Sequence, residues 1–144
     1  MPAYYFDTSA LVKRYHLEQG SERMDQLFAD PTASLLTANI TLTELTSALD
    51  RKRQDRTLTQ ETLNYVLAAV SRDLHEDFWL IELDRGHVLR SQELILRHHL
   101  RALDALHLAV LLSLRDITPV LVCADQRLLE AAQREQCTVL NPTA

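Results

Sequence analysis

Four acidic residues stand where solvation alone does not explain a carboxylate: Asp7, Glu44, Asp104 and Asp125. Asp104 is the sharpest case. It lies within Leu100–Leu114, LRALDALHLAVLLSL, a stretch without Gly or Pro whose apolar residues cover nearly the whole circumference of a helix. A helix that is apolar all round is enclosed by other elements, and an enclosed carboxylate needs a partner or a metal. Four carboxylates sharing one pocket would repel, and without a counter-ion some would hold protons. A divalent cation removes the conflict. Hard oxygen donors, with neither a thiolate nor a His cluster among them, favour Mg²⁺ or Mn²⁺ over zinc. The corresponding chemistry is hydrolysis, with an activated water and a screened phosphodiester.

Each acid also has a plainer account. Asp104 sits three residues after Arg101, the spacing of a helical ion pair, and His107 one turn later offers a hydrogen bond. Asp7 and Asp125 each stand where an apolar strand-like run turns into a helical pattern, a place for a helix N-cap. At the first of these junctions Thr8 and Ser9 compete for the same role. Thr41-x-x-Glu44 has the form of a capping box, with Glu44 reaching back to the Thr41 amide.

The order of elements decides between isolated acids and a gathered set. Ala3–Phe6, Ser34–Thr37, Phe78–Leu83, Thr118–Cys123 and Cys137–Leu140 read as strands. Helical patterns lie between them: from Ala10, from Ser21, from Thr41, after Thr59, after Asp84, over Leu100–Leu114 and after Asp125. Strands alternating with helices imply an α/β fold with a mostly parallel sheet, whose strand-to-helix junctions share one edge. Asp7 and Asp125 then lie on that edge, and Glu44, early in the helix after the second strand, faces it. Asp104 joins them if its helix leads back down into the strand containing Val120.

The totals are those of an ordinary soluble chain. Its 144 residues predict one domain spanning 1–144, and 47% hydrophobic content supplies a core. A net charge of −5 argues against a protein that coats nucleic acid, without excluding an enzyme whose acids cluster at a metal. No run reaches membrane-spanning length and no signal-peptide pattern begins the chain, so a cytoplasmic location with no membrane partner is expected. Cys123 and Cys137 are expected as reduced thiols in strands. His98 and His99 read as dipole partners at a helix end. The basic run Arg51, Lys52, Arg53 and Arg56 reads first as a solvated helix end and second as a phosphate contact.

FDTSALVK at 6–13, LTEL at 42–45, LDALHLA at 103–109 and CADQRLL at 123–129 together resemble the PIN domain family, in order and spacing along essentially the full length. The size is similar to the VapC-type toxins of bacterial toxin–antitoxin pairs. The resemblance implies a three-layer α/β/α sandwich with a sheet of four to five strands. It further implies a metal-dependent endoribonuclease that holds Mg²⁺ or Mn²⁺ on Asp7, Glu44, Asp104 and Asp125 and cuts RNA by in-line attack of water. Thr8 and Ser9 keep the expected hydroxyls after the first acid, for orienting water or phosphate. Homodimerisation and inhibition by a cognate antitoxin in the acidic groove are also implied. The chain departs from the family at Cys123, where Thr or Ser is frequent, so a hydroxyl contact is not expected there.

Other readings fit less well. An aspartyl-phosphate phosphatase would want a second Asp two residues after Asp7, where this chain has Ser9. A receiver-like domain would want an acidic pair at the first strand and a Lys at a strand end. A catalytically silent PIN-like module that binds protein or RNA, its acids serving as caps and salt bridges, is the remaining alternative.

Overall fold

The computed structural model describes residues 1–144. Five strands, β1 (Ala3–Phe6), β2 (Ser34–Ala38), β3 (Phe78–Ile81), β4 (Val120–Val122) and β5 (Val139–Leu140), form one sheet in the order β3-β2-β1-β4-β5. All four pairings are parallel, including Tyr5 opposite Leu36 on one side and opposite Leu121 on the other. The strands are short because each is a brief apolar run bounded by a turn or a cap, and all five fall where the sequence places them. Of the two cysteines expected inside strands, Cys123 lies just past β4 and Cys137 two residues ahead of β5.

The helices are α1 (Thr8–Tyr15), α2 (Ser21–Ala29), α3 (Ile40–Gln54), α4 (Gln60–Glu76), α5 (Arg85–His98), α6 (Ala102–Ser113) and α7 (Gln126–Arg134), with a 3-10 turn at Arg115–Ile117. Strand alternation sends successive side chains to opposite faces and so divides the core in two. Tyr5, Leu36, Leu121 and Cys123 pack with Leu94, Leu108 and Leu128 of α5, α6 and α7. On the other side, Phe6 and Val122 pack with Leu11, Met24, Leu45 and Leu74 of α1, α2, α3 and α4. The result is the α/β/α sandwich expected. The buried helix of the sequence is α6, where Ala105, Leu108, Ala109, Val110, Leu111 and Leu112 are all enclosed.

Helix starts carry the chemistry. Asp7 caps α1 by accepting from the Ala10 amide, and Asp125 caps α7 by accepting from Leu128. Thr59 and Asp84 cap α4 and α5 as their positions predict. The Thr41–Glu44 capping box does not form. Asn39 precedes α3 without a side-chain cap, and the Thr41 hydroxyl, buried, bonds that of Thr37 at 2.8 Å. The helix already begins at Ile40, ahead of the motif, which leaves Glu44 free to turn elsewhere.

Candidate active site

β1 is central, with β2 on one side and β4 on the other, so the chain leaves it in opposite directions. Parallel sheets bind ligands at the carboxyl ends of strands around such a switch point. Asp7 follows β1 directly and Asp125 follows β4 after Cys123 and Ala124, placing both at that point. Asp104, in the first turn of α6, reaches the same place. A single guanidinium joins two of the acids: Arg101 Nη2 lies 2.8 Å from Asp125 Oδ2, and its Nε lies 3.3 Å from Asp104 Oδ2. The expected Arg101–Asp104 pair therefore forms, and its second partner, Asp125, belongs to a different helix.

Asp7 is the most enclosed of the four, with 3% of its surface exposed. Its oxygens accept from the Ser9 hydroxyl at 2.8 Å, from the Ala10 amide at 3.1 Å and from the Cys123 thiol at 3.2 Å. All these donors are neutral. The thiol also accepts from the Asp125 amide at 3.2 Å, so it ties the end of β4 to the first acid. Burial, and then the Asp7 charge, push the Cys123 thiol well above its ordinary range, which keeps it protonated and donating. Ser9 Oγ, besides donating to Asp7, accepts from the Ala124 amide at 3.0 Å. Its hydroxyl is thus engaged in positioning Asp7. Thr8 differs: its buried hydroxyl has no hydrogen-bond partner.

Glu44 is held by a relay that the sequence does not announce. His107 lies on α6 one turn beyond Asp104, but it turns away from that acid. Its Nε2 is 2.7 Å from Glu44 Oε1 and its Nδ1 is 2.8 Å from the Tyr5 hydroxyl. An ionised carboxylate only accepts, so Nε2 donates to Glu44, and in the neutral ring Nδ1 accepts from Tyr5. Tyr5 is fully enclosed, and burial followed by the charges of Asp7 and Glu44 keeps its phenol protonated to high pH. The signal for this role was His107, a second polar residue after Asp104 in a largely apolar helix.

Burial, joined at Asp104 by neighbouring like charge, disfavours the ionised form of two of the acids. Burial raises the carboxyl of Asp7 above its ordinary range. Burial also raises that of Asp104, aided by Asp125 and Asp7, with Arg101 opposing. Folded Asp7 and Asp104 therefore take up protons at higher pH than they do in the unfolded chain. By linkage, their ionisation weakens the fold as pH rises above the ordinary Asp value of 3.8 and through the folded pKa. Metal-free Asp104→Asn is expected to be more stable than the parent at pH 7, by about 1 kcal/mol, with the difference shrinking towards pH 4. Thermal melts at the two pH values check this. A less stable variant at pH 7 would make the Arg101 pair the dominant effect.

Beside the acids runs a groove of about 400 Å³ lined by Thr8, Ile40, Thr43, Glu44, Ser47 and Arg51. Of the basic run, Arg51 thus stands next to the site, donating to Ser47 at 2.9 Å. Lys52 pairs with Glu18 and Arg53 with Asp50, as a solvated helix end would. His98 pairs with Glu135 at 2.7 Å, and His99 closes α5 in the left-handed region.

No three His, Cys, Asp or Glu side chains stand as a ready-made metal cage. The carboxylates are shared among protein donors, and a cationic side chain lies between two of them. The donor chemistry nevertheless fits a hard dication: the site is made of oxygens, burial raises two of its acids, and Arg101 stands where compensation is needed.

The PIN domain family matches residues 4–134, and the chain belongs to it. Among its relatives, ribonuclease VapC45 of Mycobacterium tuberculosis is 33% identical over an alignment covering 96% of this chain and 95% of that protein. The fold is similar to that of VapC20 of Mycobacterium tuberculosis, a sarcin-ricin loop cleaving toxin, with a TM-score of 0.71 at 18% identity over 89% of this chain and 94% of that one. It is similar also to a toxin–antitoxin complex from Klebsiella pneumoniae, with a TM-score of 0.65 at 17% identity over 96% and 97% of the two chains.

Proposed function

We propose that this chain is a Mg²⁺- or Mn²⁺-dependent endoribonuclease that hydrolyses RNA phosphodiester bonds, acting as the toxin of a toxin–antitoxin pair in the cytoplasm. The observation that carries the reading is the meeting of Asp7, Asp104 and Asp125 at the switch point of the sheet, with Glu44 beside them on α3. These four residues would hold the metal. When bound, the ion supplies charge to offset a phosphodiester and acidity to a water molecule. The chain's own groups do the rest. Ser9 and Cys123 fix the Asp7 carboxylate, His107 and Tyr5 fix Glu44, and the unpartnered Thr8 hydroxyl and Arg51 line the groove for a strand of RNA. Ribonuclease VapC45 and its 33% identity support the substrate class.

The test is cleavage of RNA by the purified protein. Cleavage is expected to stop on chelation and to return with Mg²⁺ or Mn²⁺. Protein that cuts no RNA with either ion, across varied substrates, favours the catalytically silent binding module. That second reading draws on the protein partners that all four acids have, Arg101 being shared by Asp104 and Asp125.

An antitoxin partner is supported by the acids gathered at the switch point and the net charge of −5, which suit a partner that presents cations. A homodimer is supported by α5, where Leu89 and Leu96, seven residues apart on one face, are 55% and 78% exposed. Leu89→Asp/Leu96→Asp is expected to sediment as a monomer while the parent sediments as a dimer. A parent that is monomeric at micromolar concentration would remove this part of the account.

A further inference from the structure

We propose that Arg101 is a built-in counter-ion which a divalent cation must displace before it can bind Asp104 and Asp125. The inference rests on the metal-dependent reading above and concerns how the site passes from its metal-free to its loaded form.

The geometry distinguishes Arg101 from every other partner of the four acids. Asp7 is held by a hydroxyl, an amide and a thiol, neutral donors that can stay with the carboxylate when a cation approaches its remaining lone pairs. Arg101 carries a permanent charge and spends it on both acids at once, 3.3 Å from Asp104 and 2.8 Å from Asp125. A dication seated on the same two oxygens would meet that charge at close range, so the two cations exclude one another.

Exposure gives the direction of exchange. The Arg101 side chain is 69% exposed, while Asp104 and Asp125 beneath it are 14% and 22% exposed. The guanidinium lies across the acids from the solvent side, on a flexible stem that can swing out without disturbing the core. Local structure supplies no other reason for a cation here. Arg101 occupies the cap position of α6 with no side-chain cap bond. That place favours Ser, Thr, Asp or Asn, and the positive end of the helix dipole opposes a cation. The two carboxylates are what hold Arg101 in place.

The test measures Mn²⁺ binding without RNA, by calorimetry and by the electron paramagnetic resonance signal of free Mn²⁺, for the parent, Arg101→Gln and Arg101→Lys. Arg101→Gln removes the charge at an exposed position and is expected to bind Mn²⁺ about tenfold more tightly than the parent. Arg101→Lys keeps the charge and is expected to stay within about threefold of the parent. Metal-free Arg101→Gln is expected to melt below the parent, and saturating Mn²⁺ to raise its Tm by more than it raises the parent's. Mn²⁺ binding to Arg101→Gln that is unchanged or weaker overturns the proposal and leaves Arg101 as a structural tie. Failure of all three proteins to bind Mn²⁺ would defeat the metal-dependent reading itself, an outcome distinct from normal binding that ignores residue 101.

Discussion

Asp7→Asn and Asp104→Asn are each expected to lower RNA cleavage on the order of 10³-fold while leaving the protein folded. The expectation follows from what the exchange preserves. Asn has nearly the volume of Asp and is an equally good helix cap, so the bond from the Ala10 amide to position 7 can persist. The Ser9 hydroxyl, which donates to Asp7 at 2.8 Å, can rotate to accept from the new amide. What is lost is negative charge at the carboxyl ends of β1 and β4, the quantity a dication needs. At position 104 the charge removed is one that burial and neighbouring acids already oppose. Circular dichroism and melting establish the fold, and kcat/KM on a cleavable RNA establishes the loss. A folded Asp7→Asn protein that cuts RNA at the parental rate would remove Asp7 from the chemistry.

The second large effect falls on stability. His107→Ala is expected to cost about 3 kcal/mol, from the cavity beneath α6 and from the polar groups it deserts. The Tyr5 hydroxyl, in a side chain with no exposed surface, loses its 2.8 Å partner, and Glu44 loses its 2.7 Å partner. Tyr5→Phe removes only the hydroxyl and is expected to cost about 1 kcal/mol. Because both changes break one shared bond, the double variant should lose less than the sum of the two. Urea unfolding of the four proteins measures this coupling. Strict additivity would show that Tyr5 and His107 do not act as a unit.

The fold was legible because its elements are short and sharply bounded. Apolar runs such as Tyr4–Phe6 and Val120–Val122 could only be strands in this setting, and Asp84 and Thr59 mark helix starts by the same capping chemistry seen in the structure. Asp7 and Asp125 show why the plainer account and the functional one were not rivals. Both residues cap helices, and those helix starts lie at the edge of the sheet where a site forms.

What the sequence concealed were partnerships across distance. The span from Arg101 to Asp125 depends on how α6 meets α7, and a helical spacing rule sees only Asp104. His107 follows Asp104 by one turn and so reads as its neighbour, but its ring points to α3 and β1. By residue type alone, Cys123 subtracts a hydroxyl from the site. In the fold its thiol supplies a donor to Asp7 and an acceptor to the Asp125 amide.

Crystals of the protein soaked in Mn²⁺, with anomalous scattering recorded at the manganese edge, show where a dication sits among the acids. A manganese peak is expected among Asp7, Asp104 and Asp125, with the Arg101 guanidinium moved off both carboxylates. Full occupancy of Mn²⁺ elsewhere, with Arg101 still joining Asp104 to Asp125, would contradict that expectation.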